Sequence, residues 1–546
     1  MKKLILGLAV GSLLLGQEKV DEATTAKMRS EELEHSQIMR TLHTLTDRYG
    51  PRVTGSPNHE AAAKWAVSQM TAWGLKKAHL EPWDFGHPGW LNESATGKIV
   101  APVKQNLKFE VIAWTPSTKG AVTGSTMQVV PPQGPLPPAA EAGGRGGGGR
   151  GGPPVRLGPL KEDFDKWLAE TQPTVKGKMV MIGKWTMVPV NFTPPAKRTP
   201  DEQVKAQYDP AGPGRGGGRG AAPPADPTRY TAAQVAEKID AMLVAGKAMM
   251  RINDAARGEG IIVAQQHRGY DEATAVPTVV VRNDDYGRME RLMADGDDVK
   301  LQFDIVNHSY PEGKTSYNVI AEIPGTDKAD EVVMLGGHLD SWHGGTGATD
   351  NAIGCAIMME AARLIQVAGV KPRRTVRVAL WSGEEQGLYG SLAYVKQHFG
   401  TAEDPKPEWA KFNGYFNVDT GTGRIRGGSV FGPPEAAAIL RPVFALFSDW
   451  GVAGVNANTS RVVAGTDSTS FNNAGLPGIG MQQDPIEYNS MTHHTNLDTY
   501  ERIIPEDVQR DAAIIAAGVL HLANRDEMLP RFDKDKMPAP VKVPTF

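Results

Sequence analysis

At 546 residues the chain is too long for one ordinary core, and two or three folded units are expected. Hydrophobic residues make up 40% and charged residues 22%, with a formal net charge of -3, as in a globular protein without a polyanion-binding surface. No basic tract is interleaved with aromatics, so nucleic acid is not an expected partner.

In chain order, Lys2 and Lys3 precede an apolar run from Leu4 to Leu15, which reads as an export signal cut after Gly16. The run is shorter than the roughly 20 residues of a membrane span. A secreted or periplasmic protein with no membrane span is therefore expected. Glu31 to Tyr49 and His59 to Trp73 carry helical periodicity, and Ala78 to Trp83 reads as a strand. These lie in the first part of a main domain, residues 24–101. From 102 to 307 the texture changes to short strands and turns, interrupted by helices at Ala233 to Asp254 and Tyr286 to Asp295. This predicts a β-rich inserted domain. Within it, 143–154 and 210–227 are rich in Gly, Arg and Pro and read as disordered surface loops; no GK[ST] follows either one.

Residues 308–530 continue the main domain. Val319 to Ile323 and Val332 to Leu335 read as strands, Asn351 to Val367 as an amphipathic helix, and Val376 to Trp381 as a strand buried in a sheet. Strand-helix alternation predicts an α/β fold: a mixed, mostly parallel sheet with helices on both faces. Sites in such sheets form at the carboxyl ends of the strands. Residues 531–546 read as a tail. Cys355, the only cysteine, excludes intrachain disulfides and a multi-thiolate metal site. It falls in an apolar helical pattern and reads as a core residue.

The chemistry-bearing residues fall at strand ends. Val332 to Leu335 runs into Gly336-Gly337-His338-Leu339-Asp340, where alternation lets Asp340 receive the second ring N–H of His338. Asp350 precedes a helix, where a carboxylate is favoured by unsatisfied N–H groups. Val376 to Trp381 ends in Ser382-Gly383-Glu384-Glu385; adjacent carboxylates in a crevice repel unless a cation or a proton intervenes. Asp419 ends another short strand, and His493-His494 lie in a further loop. Imidazoles and carboxylates without thiols suit zinc, with manganese or cobalt as alternatives.

The chain resembles the co-catalytic zinc exopeptidases of the bacterial leucyl-aminopeptidase type, most closely their carboxypeptidase Q branch. The resemblance rests on Gly50-Pro-Arg-Val-Thr-Gly-Ser56, Glu81-Pro-Trp83, Gly337-His-Leu-Asp-Ser-Trp342, Glu384-Glu-Gln-Gly387, Gly465-Thr-Asp467 and His494-Thr-x-x-Asp498. It implies two Zn2+ ions per chain. His338 and Asp419 would hold one, Glu385 and His494 the other, and Asp350 would bridge them. Glu384 would be the general base that activates water against a terminal peptide bond, with Asp340 supporting His338. The insertion looks like a protease-associated domain, able either to restrict the crevice or to form a homodimer. His343, His493 and Asp467 are substrate-binding candidates. The resemblance leaves aminopeptidase, dipeptidase and carboxypeptidase action open. A single-zinc glutaminyl cyclase-like enzyme and a catalytically dead binding protein are the competing readings, and the complete ligand set speaks against both.

Overall fold

The computed structural model describes residues 18–135, 156–192, 198–209, 226–267, 269–462 and 465–541. The export-signal segment, the tract 143–154 and most of 210–227 lie outside these residues. Two eight-stranded sheets form the frame. The first runs Lys76–Asp84, Thr315–Ile323, Arg374–Trp381, Lys328–His338, Phe412–Asn417, Gly478–Gln483, Ile425–Phe431, Gly454–Asn458. Its middle, from Arg374–Trp381 to Gly478–Gln483, is parallel, and antiparallel pairings lie to either side.

Period-2 alternation divides each central strand between two cores. Val333, Leu335, Val376, Val378 and Leu380 face a core that includes helices Ile353–Ala368 and Pro505–Asn524. Met334, Ala379 and Trp381 face the opposite one, with Tyr394 and Phe471 from helices Tyr389–His398 and Ser468–Asn473. Burying each such side chain stabilises the fold by roughly 1.5–3 kcal/mol, so both faces hold helices. This is the expected fold class.

The second sheet leaves and returns at one edge of the first. Lys76–Asp84 pairs antiparallel with Thr315–Ile323, and the residues between them build the order Gln105–Asn106, Gly89–Ala101, Lys300–Tyr310, Val122–Val129, Met179–Ile182, Met250–Asp254, Thr278–Val281, Phe109–Val111. The sheet thus begins at Gly89 and ends at Tyr310, wider than residues 102–307. Gly89–Ala101 is polar at Asn92, Glu93, Ser94 and Thr96, so its pattern does not announce a strand; its pairing with Lys300–Tyr310 makes it one. Where one helix was expected over Ala233 to Asp254, the helix Ala232–Ala245 stops and the strand Met250–Asp254 follows. Gly246 ends the helix against Val175, which a Cβ would approach to 2.5 Å.

An arm from the inserted region returns to the first sheet. Helix Asp201–Tyr208 lies on the edge strand Gly454–Asn458, with Asn456 Nδ2 donating to the Gln207 carbonyl at 3.0 Å. The Tyr208 ring occupies the space where a Cβ on Gly427 would sit, 2.4 Å from the ring. The arm covers an edge that would otherwise offer unpaired backbone groups.

Candidate metal centre

His338 is the last residue of Lys328–His338, opposite Trp381 on the neighbouring strand. Gly336 has no room for a side chain, since a Cβ would lie 1.9 Å from the Ala379 carbonyl oxygen. The imidazole is fully buried. Its Nδ1 lies 3.0 Å from the backbone carbonyl of Asp340, while the Asp340 carboxylate is 3.7 Å away, too far for a hydrogen bond. The carbonyl, not the carboxylate expected from alternation, receives the ring N–H. The Asp340 carboxylate instead accepts from Thr54 Oγ1 at 3.0 Å and from the backbone N–H groups of Glu384 and Glu385 at 3.3 and 3.2 Å. It organises the glutamate loop.

That loop leaves Arg374–Trp381 through Gly383, whose φ of +72° and contact with the Trp83 ring both require glycine. Asp419 lies two residues beyond Phe412–Asn417, with Oδ1 3.3 Å from His338 Nε2. Asp350 is not the cap of its helix. Asn351 Oδ1 accepts from Gly354 N–H at 3.0 Å, which leaves the Asp350 carboxylate to the centre. The Asp350 backbone is held by Asp498, which accepts from the N–H groups of Thr349 and Asp350 at 2.6 and 3.1 Å.

Asp350 joins the two sides. Its Oδ1 is 3.2 Å from His338 Nε2 and its Oδ2 is 3.3 Å from His494 Nε2. His494 Nε2 is also 2.9 Å from Glu385 Oε2. His493 stacks on His494 with ring centroids 3.7 Å apart, and its Nε2 is 3.9 Å from Asp350 Oδ2. Glu384 Oε2 is 3.9 Å from His338 Nε2. Three overlapping sets have ligand atoms within 4.8 Å of one another: Asp350, His493 and His494; His338, Asp350 and Glu385; His338, Glu384 and Asp419.

The electrostatics require cations or protons. Burial drives Glu384 well above the carboxylate range and Glu385 up to about 7, and it raises Asp419. Burial pulls His338 and His494 down, but the surrounding carboxylates outweigh it and leave His494 at about 9. Asp350 is buried too, yet the imidazoles hold it below the usual carboxylate value. Among the described residues, Asp350 Oδ2 and both Glu385 oxygens are buried without a hydrogen-bond partner, although Asp350 Oδ2 and Glu385 Oε2 lie 3.3 and 2.9 Å from His494 Nε2. Close approach without hydrogen-bond geometry suits atoms that share an ion. Two imidazoles and several carboxylates without a thiol fit zinc.

The substrate candidates go different ways. His493 stays at the centre. Asp467 is wholly buried, burial pushes it up to about 7, and it belongs to none of the three metal-holding sets. His343 turns toward the second sheet, with Nε2 2.6 Å from the Val111 carbonyl oxygen and its ring edge-on to Trp90 at 4.8 Å. Arg52, within Gly50-Pro-Arg-Val-Thr-Gly-Ser56, is a functional residue that the sequence pattern does not single out. The buried Arg52 guanidinium donates to the carbonyls of Leu339 (2.7 Å), Thr346 (2.9 Å) and Gly347 (2.9 Å), tying the His338 loop to the Asp350 loop. Gln265, 3.0 Å from His494 Nδ1, is another that the pattern does not single out.

Residues 318–519 match the model of peptidase family M28. It is 33% identical over 261 residues to carboxypeptidase Q of Mus musculus, covering 48% of this chain and 53% of that protein, so the match spans about half of that relative. With carboxypeptidase Q of Homo sapiens the identity is 26% over 490 residues, covering 90% of this chain and 86% of the relative. A Peptidase M28 precursor from Shewanella amazonensis SB2B shares the fold, with a TM-score of 0.62 at 22% identity over 95% of this chain and 99% of that one.

Proposed function

We propose that the chain is an exported di-zinc exopeptidase that hydrolyses the terminal bond of short peptides. The observation that carries this reading is the convergence of His338, Asp350, Glu385, Asp419 and His494 around buried carboxylate oxygens that have no hydrogen-bond partner among the described residues. His338 and Asp419 would hold one zinc, Glu385 and His494 the other, and Asp350 both. Zinc bound there supplies Lewis-acid polarisation of the scissile carbonyl and acidifies water. The protein's own residues do the rest. Glu384, at the rim of the cluster and with its proton affinity raised by burial, takes a proton from the attacking water and delivers it to the leaving amine. Asp340 keeps Glu384 and Glu385 in register through their backbone N–H groups, and Arg52 and Asp498 lock the loops bearing His338 and Asp350. The β-rich unit is read as a protease-associated-like insertion beside the crevice.

The test is hydrolysis of unmodified, N-blocked and C-amidated dipeptides by zinc-loaded and chelator-treated protein. Chelation should abolish turnover. Blocking the amino end stops an aminopeptidase, and amidating the carboxyl end stops a carboxypeptidase. Equal turnover with and without bound metal would refute the reading.

A further inference from the structure

Residues 260–267 belong to the inserted region, yet they lie against the metal centre. Ile262 and Ala264 bury themselves with Val280 in a small core. By alternation, Val263 and Gln265 face the other way. That outer side meets the loop carrying His494. Val263 forms an antiparallel bridge with Thr495. Asn496 N–H donates to the Ile262 carbonyl at 3.1 Å, Asn496 Oδ1 accepts from Ile262 N–H at 2.8 Å, and Asn496 Nδ2 donates to the Gly260 carbonyl at 3.2 Å. Toward the second sheet, Ala113 N–H donates to the Gln265 carbonyl at 3.0 Å and His267 N–H to the Ala113 carbonyl at 2.9 Å. The Gln265 backbone is thus fixed, and its side-chain amide nitrogen Nε2 lies 3.0 Å from His494 Nδ1. His494 Nε2 is the nitrogen that faces Glu385 and Asp350.

We propose that Gln265 is a positioning residue for His494, so that the inserted unit completes the half of the centre formed by His494, Glu385 and Asp350. The inference rests on the metal-dependent reading above and adds to it the origin of the support for His494. A ligating imidazole needs its free nitrogen to accept the metal and its other N–H to be held. With Nε2 directed at the carboxylates, Nδ1 carries the proton, and the Gln265 amide accepts it once a half-turn brings its oxygen to the ring in place of the Nε2 that lies there. The two ends of that amide exchange by a half-turn, so the hydrogen-bond network decides which end faces the ring. External support is needed because His494 has a φ of +61°, a conformation unfavourable for a side-chain-bearing residue. His338 uses a different device, the backbone carbonyl of Asp340. One imidazole is therefore set by its own strand end and the other by the insertion.

The experiment titrates zinc into metal-free full-length protein against a chromophoric chelator, for the wild type, Gln265→Leu and Gln265→Glu. Gln265→Leu should weaken one of two zinc sites by about 10–100-fold, leave the other unchanged, and leave the unfolding temperature of the metal-free protein unchanged. Gln265→Glu keeps an acceptor and should restore affinity to within a few-fold of wild type. In the zinc-loaded enzyme, Gln265→Leu should lower kcat more than it raises KM. Wild type that binds two zincs while Gln265→Leu titrates identically overturns this inference alone. Equal weakening of both sites together with a lower metal-free unfolding temperature overturns it in favour of a merely structural contact. Wild type that takes up no zinc overturns the metal-dependent reading and this inference with it.

Discussion

Arg52→Met reaches the metal centre without removing a proposed ligand. The Arg52 guanidinium is 0% exposed. Its Nε donates to Leu339 O at 2.7 Å and its Nη2 to Gly347 O at 2.9 Å, while Nη1 serves Leu45, Gly50 and Thr346 at 3.0, 3.0 and 2.9 Å. Methionine fills most of the volume and satisfies none of these carbonyls. A hydrogen bond contributes about 1 kcal/mol net, more when charged, and a buried acceptor left alone costs about 1–3 kcal/mol. Some carbonyls will find water, so about 4–5 kcal/mol is the expected loss. At about 2–4 °C per kcal/mol, unfolding should begin about 10 °C lower or more. Leu339 follows His338, and Thr346 and Gly347 precede Asp350, so zinc affinity should fall as well. Arg52→Lys keeps the charge but offers a point donor in place of a planar fork, and should recover less than half of the loss. Thermal unfolding and zinc titration measure both effects. An Arg52→Met protein that unfolds within about 2 °C of wild type and binds zinc equally well would refute the role assigned to this side chain.

Glu384→Gln should lower kcat by about two to four orders of magnitude while zinc content stays at the wild-type level; metal analysis beside a peptidase assay checks it. Glu32 is fully buried, and burial together with Glu360 pushes it from 4.5 up to about 9. The folded state then keeps a proton that the unfolded chain releases, so this group's contribution to stability falls as pH rises from 4.5 to about 9. Glu32→Gln should therefore stabilise, increasingly so toward the upper end of that window; denaturant midpoints at several pH values test the trend, and a gain that shrinks with pH would contradict it. Cys355 is buried, its thiol donates to the His338 carbonyl at 3.0 Å, and burial pushes it up to about 12. A thiol reagent should label it only on unfolding. Arg426 is buried against Asp484, with both carboxylate oxygens 3.1 Å from Nη1. Asp484 keeps Arg198 and Arg424 at 3.5 Å, so Arg426→Met should cost about 1–3 kcal/mol through loss of its closest partner, read from chemical unfolding.

The fold class was legible because local patterns carry it. The runs Val332 to Leu335 and Val376 to Trp381 announce strands buried on both faces, and Asn351 to Val367 announces their covering helix. The proposed ligands stood out for the same reason, each lying at or just beyond a strand end or in a loop with other ionisable residues. What was not legible depends on long-range contact. The ring N–H of His338 goes to a backbone carbonyl, which spacing cannot distinguish from a carboxylate two residues away. His343 is drawn to Val111 and Trp90, both more than two hundred residues earlier. Gln265 sits 229 residues from His494 and follows the continuous apolar run Ile261 to Ala264, which shows no alternation; only the fold brings it to the ring. The polar strand Gly89–Ala101 is a strand because Lys300–Tyr310 pairs with it.

The most direct measurement is anomalous diffraction at the zinc edge from crystals of zinc-loaded protein. The account predicts two peaks per chain, one beside His338 and Asp419 and one beside Glu385 and His494, with Asp350 touching both. A single peak, or a pair that Asp350 does not join, would contradict it.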